Sequence, residues 1–438
     1  MDQTEALIIE TIDRHREEIL EFARDIYSHA ELGYKEFQTS GKFVKKMEQL
    51  GLRTEKGFAI TGVKAYLNED KKENASLALL GELDALRIPE HAFANPETNA
   101  AHCCGHHAQM AGVFGAALAL TVPEIAEKLD GQVVFFATPA EEYGEIEFKN
   151  QLREQGKIRY GGGKCELLRI GAFDDIDLCL THHIRPGNEI LVGSGTGNGF
   201  VSKVIRVLGK ASHAAGAPEK GVNALSAASL GLQALGLNRE TFWDEDCVRV
   251  HPIITKGGNL VNVIPDEVVV ETLVRGKTIE AFTDAAKKTD RSFKAGAIAM
   301  GAKVEISTLP GYLPTLAEEA LPELKHAAEI SASGIPVIEA SGHAGGSTDV
   351  GDVQHLMPVY TFNTGGVKGG LHQIDFEVTD EEEAYIVTAK MFALAAYGLL
   401  KEKAQRSREL VDQYEPVFKN SAEYVEFMEQ FDSKEIFE

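Results

Sequence analysis

Apolar positions along this chain fall into two rhythms. Residues 4–27 and 40–50 repeat them at helical spacing, which predicts two amphipathic helices around the turn-rich His29-Ala-Glu-Leu-Gly33. Continuous apolar runs follow at 62–67, 76–83, 132–138 and 176–181. Runs of that length predict strands buried on both faces. Between them, Ala-rich stretches at 108–120 and about 163–171 predict helices. Strands alternating with helices imply an α/β fold whose mostly parallel sheet is covered on both sides.

The texture changes near residue 195, after the glycine-rich Gly193-Ser-Gly-Thr-Gly-Asn-Gly199. A strand (201–208), a helix (222–236), strands at 248–255 and 267–275, a helix (278–300) and a strand (302–308) follow. This β-α-β-β-α-β order is that of a ferredoxin-like sandwich. Beyond Leu309 the first pattern resumes, with a buried strand at Pro358-Val-Tyr-Thr-Phe-Asn363 and a long amphipathic helix at 380–403. The reading is therefore a large domain in two parts, 1–194 and 311–438, with a smaller domain, 195–310, inserted. The charged, aromatic-dotted tail 404–438 is expected to be helical.

A length of 438 residues exceeds one ordinary core and agrees with two domains. The formal charge of −23 would repel nucleic acid and anionic membrane, so neither is expected as a partner. An anionic substrate must then be held by local cations. No stretch approaches the roughly 20 apolar residues that span a bilayer, and the charged N-terminus lacks a signal core. Five Cys, two of them adjacent, make no disulfide framework, which points to a reducing cytoplasm.

Candidate chemistry gathers where this fold opens its sites, at the carboxyl ends of strands. Asp84 follows the 76–83 run, Glu141 and Glu142 follow 132–138, and His183 follows 176–181. Alone, each has a plainer explanation. Asp84 could cap the next element, the Glu pair could be a solvated face, and a buried Cys is commonly a small hydrophobe. Yet five Cys or His residues crowd around one Gly in His102-Cys-Cys-Gly-His-His107, just before an apolar helix. A thiolate, imidazoles and paired carboxylates suit zinc or a similar divalent ion, and a spare Glu suits a proton acceptor for activated water. Two other readings use the same residues. A thiol redox protein would use Cys103 and Cys104, although adjacent Cys lack the usual two-residue spacer. A non-catalytic binder would keep the fold alone.

The ordered series of motifs resembles the M20 metallopeptidase and amidohydrolase family, subfamily D, over nearly the whole chain. His29-Ala-Glu-Leu-Gly33, Gly81-Glu-Leu-Asp-Ala-Leu86, Cys104-Gly-His106, Pro139-Ala-Glu-Glu142, His183-Ile-Arg-Pro186, Ser212-His-Ala-Ala215, Asn262-Val-Ile-Pro-Asp266, Arg275 and Gly370-Leu-His372 carry it. Within the subfamily, Phe173-Asp-Asp-Ile-Asp177 and Gly346-Ser-Thr-Asp-Val-Gly-Asp352 look most like the aminobenzoyl-glutamate utilisation and aminoacylase-1-like dipeptidase group. Two departures stand out. His107 replaces the usual Asp or Asn, and residues 145–160 look like an insertion.

The resemblance implies an α/β catalytic domain with a mostly parallel sheet and an inserted ferredoxin-like α+β lid and dimerisation domain. It implies two divalent metal ions, zinc first and manganese or cobalt as alternatives. Cys104 would bridge them, with His106, Glu142, His183 and His372 as the other ligands. Glu141 would be the general base, and Asp84 would orient a ligand. His213 would donate to the oxyanion, while Asn262 and Arg275 would hold a substrate carboxylate. The implied reaction is hydrolysis of an amide in an N-acyl amino acid, aminobenzoyl-glutamate or dipeptide-like small molecule, by a homodimer paired through the inserted domain.

Overall fold

The structure, a computed structural model, describes residues 1–332 and 334–438. The chain divides into two compact units, one of Met1–Gly195, Leu316–Gly342 and Asp352–Ser421, the other of Thr196–Thr315, His343–Gly351 and Ala422–Glu438.

The first unit is built on an eight-stranded sheet. Its strands run Arg53–Phe58, Gly62–Leu67, Gln132–Thr138, Ser76–Glu82, Leu178–Ile184, Val359–Thr364, Ile190–Val192 and Val337–Glu339. The four at the centre, Gln132–Thr138 to Val359–Thr364, are parallel. Every residue of Ser76–Glu82 and Gln132–Thr138 is buried, as their unbroken apolar runs require. The helix His106–Leu120 is buried along its whole length. Gly112 and Gly115 let the helix that begins at Thr388 approach it, since a Cβ at either would come within 2.5 Å of Thr388 or Ala389. Ala-rich surfaces meeting at glycines bring two backbones close and leave little void.

Two elements of this unit differ from the sequence reading. The stretch 4–27 forms two helices, Gln3–Arg14 and Arg16–Ser28, interrupted at His15 with φ −95° and ψ 13°. The helix expected at 380–403 opens with a π-helical turn, Glu382–Val387, and continues as Thr388–Gln413 with a break in helical geometry at Lys401–Ala404. By length and composition this helical span, Glu382–Gln413, is long and apolar enough to cross a membrane, contrary to the sequence reading. However, 89% of its most apolar window is buried inside the protein, so core packing accounts for its composition.

The second unit has helices Ala224–Asn238 and Ile279–Met300 and an antiparallel sheet. Glu267–Gly276 and Lys303–Tyr312 flank Gly199–Leu208, and Ile253–Lys256 pairs the outer side of Glu267–Gly276. This is the ferredoxin-like order. The strand expected at 248–255 is split into Arg249–Val250 and Ile253–Lys256, because Pro252 has no N–H to give a ladder. The tail is also corrected. After the helix Ser421–Glu429, Ser433–Phe437 forms a strand on the far side of Lys303–Tyr312, so residues 422–438 belong with the second unit and not the first. Ion pairs of Lys434 with Glu305 (3.0 Å) and Glu435 with Lys294 (2.7 Å) fasten it.

Candidate metal centre

Strand ends of the first unit assemble the site. Asp84 leaves Ser76–Glu82, Glu141 and Glu142 leave Gln132–Thr138, and His183 lies next to the last residue of Leu178–Ile184. Cys104 precedes the helix His106–Leu120, entered through Gly105 at φ 89°. His372 comes from the loop after Val367–Lys368 and is tied down by its N–H, which donates to the Cys103 carbonyl at 3.0 Å.

These side chains converge. Cys104 Sγ lies 3.3 Å from His183 Nε2 and 3.1 Å from His372 Nε2. His372 Nε2 is also 3.1 Å from Glu142 Oε1. Within the first unit, three trios bring ligand atoms within 4.8 Å of one another: Cys104, His106 and His183; Cys104, Glu142 and His372; His106, Glu141 and Glu142. Cys104 is common to the first two. Asp84 links both sides, with Oδ1 3.2 Å from His106 Nδ1 and Oδ2 accepting the Glu142 N–H at 2.9 Å. His183 Nδ1 stands 2.7 Å from the Ile184 carbonyl, which turns its Nε2 inward.

Two buried atoms, His106 Nε2 and Glu142 Oε1, make no hydrogen bond of proper geometry among the described residues. Orphaned donor atoms of that kind, beside a sulfur and two more imidazoles, fit divalent cations. Electrostatics agrees. Burial, then Glu142, pushes the Cys104 thiol well above its usual range. Burial opposes charge on His106, but Glu82 and Cys104 outweigh it and keep the ring protonated well above the ordinary value. Burial, with His106 nearby, lowers His183. The protons held by Cys104 and His106 are those a cation would displace.

The remaining expected residues lie in the second unit. His213 is exposed, and its Nδ1 accepts the N–H groups of Ala215 and Gly216 at 3.2 and 3.0 Å. The Asn262 carbonyl accepts the Ala214 N–H at 3.0 Å, so His213 and Asn262 share one end of the sheet. Arg275 stacks over Phe200 at 5.7 Å near the other end of Glu267–Gly276. Eight residue steps of strand separate Glu267 from Arg275, roughly 26 Å at the usual rise.

Sequence reasoning missed a buried acid–base pair beneath the site. Lys164 Nζ is 2.5 Å from Glu82 Oε1, and Glu82 Oε2 is 3.1 Å from His106 Nε2. Lys164 is wholly buried. Burial would raise Glu82, but Lys164 and His106 hold it down at about 2. A Lys in an otherwise apolar helix start, Gly163-Lys-Cys, was the available signal. Lys164→Met strands the Glu82 charge, and loss of one partner of a buried pair costs about 3–5 kcal/mol. Denaturant unfolding should show a loss of that size, and a change below about 1 kcal/mol would refute the pairing's weight.

The departures noted in the sequence also find their places. His107 is buried between the Tyr27 ring (4.7 Å) and the Tyr385 hydroxyl (3.1 Å), and burial followed by His106 lowers it to about 3. It is a neutral packing group behind the centre. The insertion forms the helix Ile146–Glu154, whose Lys149 donates to the Glu142 carbonyl at 2.7 Å. Cys103 is buried, with its sulfur 3.5 Å from the Ala101 carbonyl.

Fold and donor set together define the class, a peptidase or amidohydrolase. The chain belongs to peptidase family M20/M25/M40, whose model matches residues 78–397. It is 27% identical over 408 residues to the Xaa-Arg dipeptidase of Mus musculus, covering 90% of this chain and 85% of that one. It is 24% identical over 403 residues to the N-acetyl-L-cysteine deacetylase of Bacillus subtilis, covering 89% and 90%. Among solved structures, the Bacillus subtilis YXEP protein, a dinuclear metal binding peptidase from the M20 family, shares the fold. Its TM-score is 0.62 at 24% identity, over 89% of this chain and 99% of that one. The protein is an enzyme of this hydrolase family.

Proposed function

We propose that this enzyme hydrolyses an amide next to a carboxylate, in a dipeptide, an N-acyl amino acid or aminobenzoyl-glutamate, with two divalent metal ions held by Cys104, His106, Glu142, His183 and His372. The convergence of all five on one cage beside Glu141 carries the reading. When bound, the ions supply Lewis acidity, which polarises a carbonyl and lowers the pKa of water. Glu141 accepts the proton of the attacking water and returns it to the leaving amine. Asp84 holds the His106 ring and the Glu142 backbone in register. Glu142 and His372 serve as ligands, which separates the two adjacent carboxylates by role.

His213 is proposed as the oxyanion donor, and Asn262 and Arg275 as the groups that grip the substrate carboxylate, Arg bidentately. Because the length of a strand separates Arg275 from the other two, all three can serve one substrate only if two copies of the chain contribute. A homodimer through the second unit meets that need. Its edge strand Ile253–Lys256 is exposed along its length, with Ile253 61% exposed, and Val261 beside it is fully exposed. Unpaired apolar edges of this kind invite a partner. Zinc is the proposed metal from the thiolate in the donor set, and free Cys in a reducing cytoplasm is the proposed setting.

The test is a rate panel on Ala-Arg, an N-acetyl amino acid and p-aminobenzoyl-glutamate, with metal-free protein reloaded with zinc, manganese or cobalt. At least one amide should be cleaved, with activity removed by chelator and restored by metal. No cleavage of any of them with any of the three metals would sink the reading.

A further inference from the structure

The N-terminal motif His29-Ala-Glu-Leu-Gly33, and Glu36 just after it, give no ligand atom to the three trios. Gly33 and Glu36 meet instead the turn that carries Glu141. Within Pro139-Ala-Glu-Glu142, Ala140 sits at φ 49°, a left-handed conformation that is costly for a residue with a Cβ. Such a turn persists only where its surroundings over-determine it.

Here four contacts do so. The Ala140 N–H donates to Glu36 Oε1 at 2.8 Å, and the Ala140 carbonyl accepts the Gly163 N–H at 3.0 Å. The Glu142 N–H donates to Asp84 Oδ2 at 2.9 Å, and the Glu142 carbonyl accepts from Lys149 Nζ at 2.7 Å. Glu36 is completely buried, and its second oxygen accepts from the Thr61 hydroxyl at 2.7 Å. Gly33 makes room for the approach, since a Cβ there would stand only 3.1 Å from both Cα and Cβ of Ala140. A buried carboxyl destabilises the fold unless its oxygens are satisfied. This one directs an oxygen at the single peptide N–H that enters the base-bearing turn.

We propose that Glu36 is a positioning residue for Glu141: by accepting the Ala140 N–H, with Gly33 permitting the close approach, it holds the left-handed turn that aims the Glu141 carboxylate. The inference rests on Glu141 being the base, as proposed above. It gives the N-terminal motif a task in the reaction although none of its side chains supplies a ligand atom to those trios.

The experiment compares Glu36→Ala, Glu36→Gln, Thr61→Val and Glu141→Ala on whichever panel amide the wild type cleaves, with elemental analysis of each variant. A base displaced by about 1 Å costs up to about 10²-fold, so Glu36→Ala should lose 10–100-fold in kcat, keep KM within about twofold and keep its metals. Glu36→Gln retains an acceptor oxygen and should recover to within about fivefold of wild type. Wild-type kcat in folded Glu36→Ala, or metal loss in parallel with kcat, overturns the inference. If Glu36→Ala does not fold, Thr61→Val decides, since it removes only the hydroxyl that fixes Glu36. A fall in kcat of about threefold or more at constant KM supports the role, and an unchanged kcat refutes it. A crystal structure of metal-free Thr61→Val or Glu36→Ala gives a readout independent of turnover. Ala140 should leave positive φ in Glu36→Ala, and an unmoved turn there counts against the role. Full activity in Glu141→Ala instead removes the general-base reading itself, which separates the two failures.

Discussion

Glu141→Ala is expected to lower kcat by about 10³-fold while both metals stay bound, because a positioned proton acceptor contributes about 10²–10⁴ to such a step. The geometry distinguishes it from its neighbour. Glu142 Oε1 lies 3.1 Å from His372 Nε2 and Glu142 belongs to two trios, whereas Glu141 Oε2 stands 4.0 Å from His106 Nε2 and Glu141 joins only the trio of His106 and Glu142 within the first unit. Removing Glu141 should therefore leave the ligand set intact. Glu142→Ala removes the orphaned oxygen itself and should release metal. Steady-state rates paired with elemental analysis separate the cases. A Glu141→Ala protein within about tenfold of wild-type kcat, or one that has lost its metal, removes this residue from the proton-transfer role.

The parts of this molecule that could be read in the sequence are those whose reason is local. Ser76–Glu82 and Gln132–Thr138 are buried on both faces, so their unbroken apolar runs announce them. The residues just beyond them are the ones that converge, because a parallel sheet gathers its strand ends on one edge. What escaped depends on partners far along the chain. Ser433–Phe437 has too few apolar positions to look like a strand, and it becomes one only by pairing with Lys303–Tyr312, more than a hundred residues earlier. Lys164 and Glu82 are 82 residues apart, and Glu36 and Ala140 are 104 apart. No periodicity encodes such contacts. Pro252 did carry a local signal, a missing donor within an apparent strand, and the structure breaks the ladder there. His213, Asn262 and Arg275 were found only through the family's motifs. Nothing in the spacing of an exposed His, an exposed Asn and a strand Arg distinguishes them from ordinary surface groups.

Cys104→Ala should be the most damaging change at the centre, since it removes the one sulfur shared by two ligand trios. Losing His183 or His372 takes a donor from one trio on either side of that sulfur. Losing Cys104 takes one from both, so binding of both ions should weaken by more than the roughly 10–100-fold seen on disturbing a supporting partner. The thiol also makes binding depend on pH. Burial, reinforced by Glu142, holds Cys104 well above the ordinary thiol range, so the metal-free site keeps that proton at neutral pH and a cation must expel it. Wild-type metal affinity should therefore rise with pH, and Cys104→Ala should release about one proton fewer per binding event. Cobalt-loaded wild type should show sulfur-to-cobalt charge-transfer absorption in the near ultraviolet, and the variant should lack it. A Cys104→Ala protein that holds two equivalents of metal through dialysis, with an unchanged pH dependence, would mean that this sulfur is not a ligand. The cage would then have to be redrawn around the imidazoles and Glu142 alone.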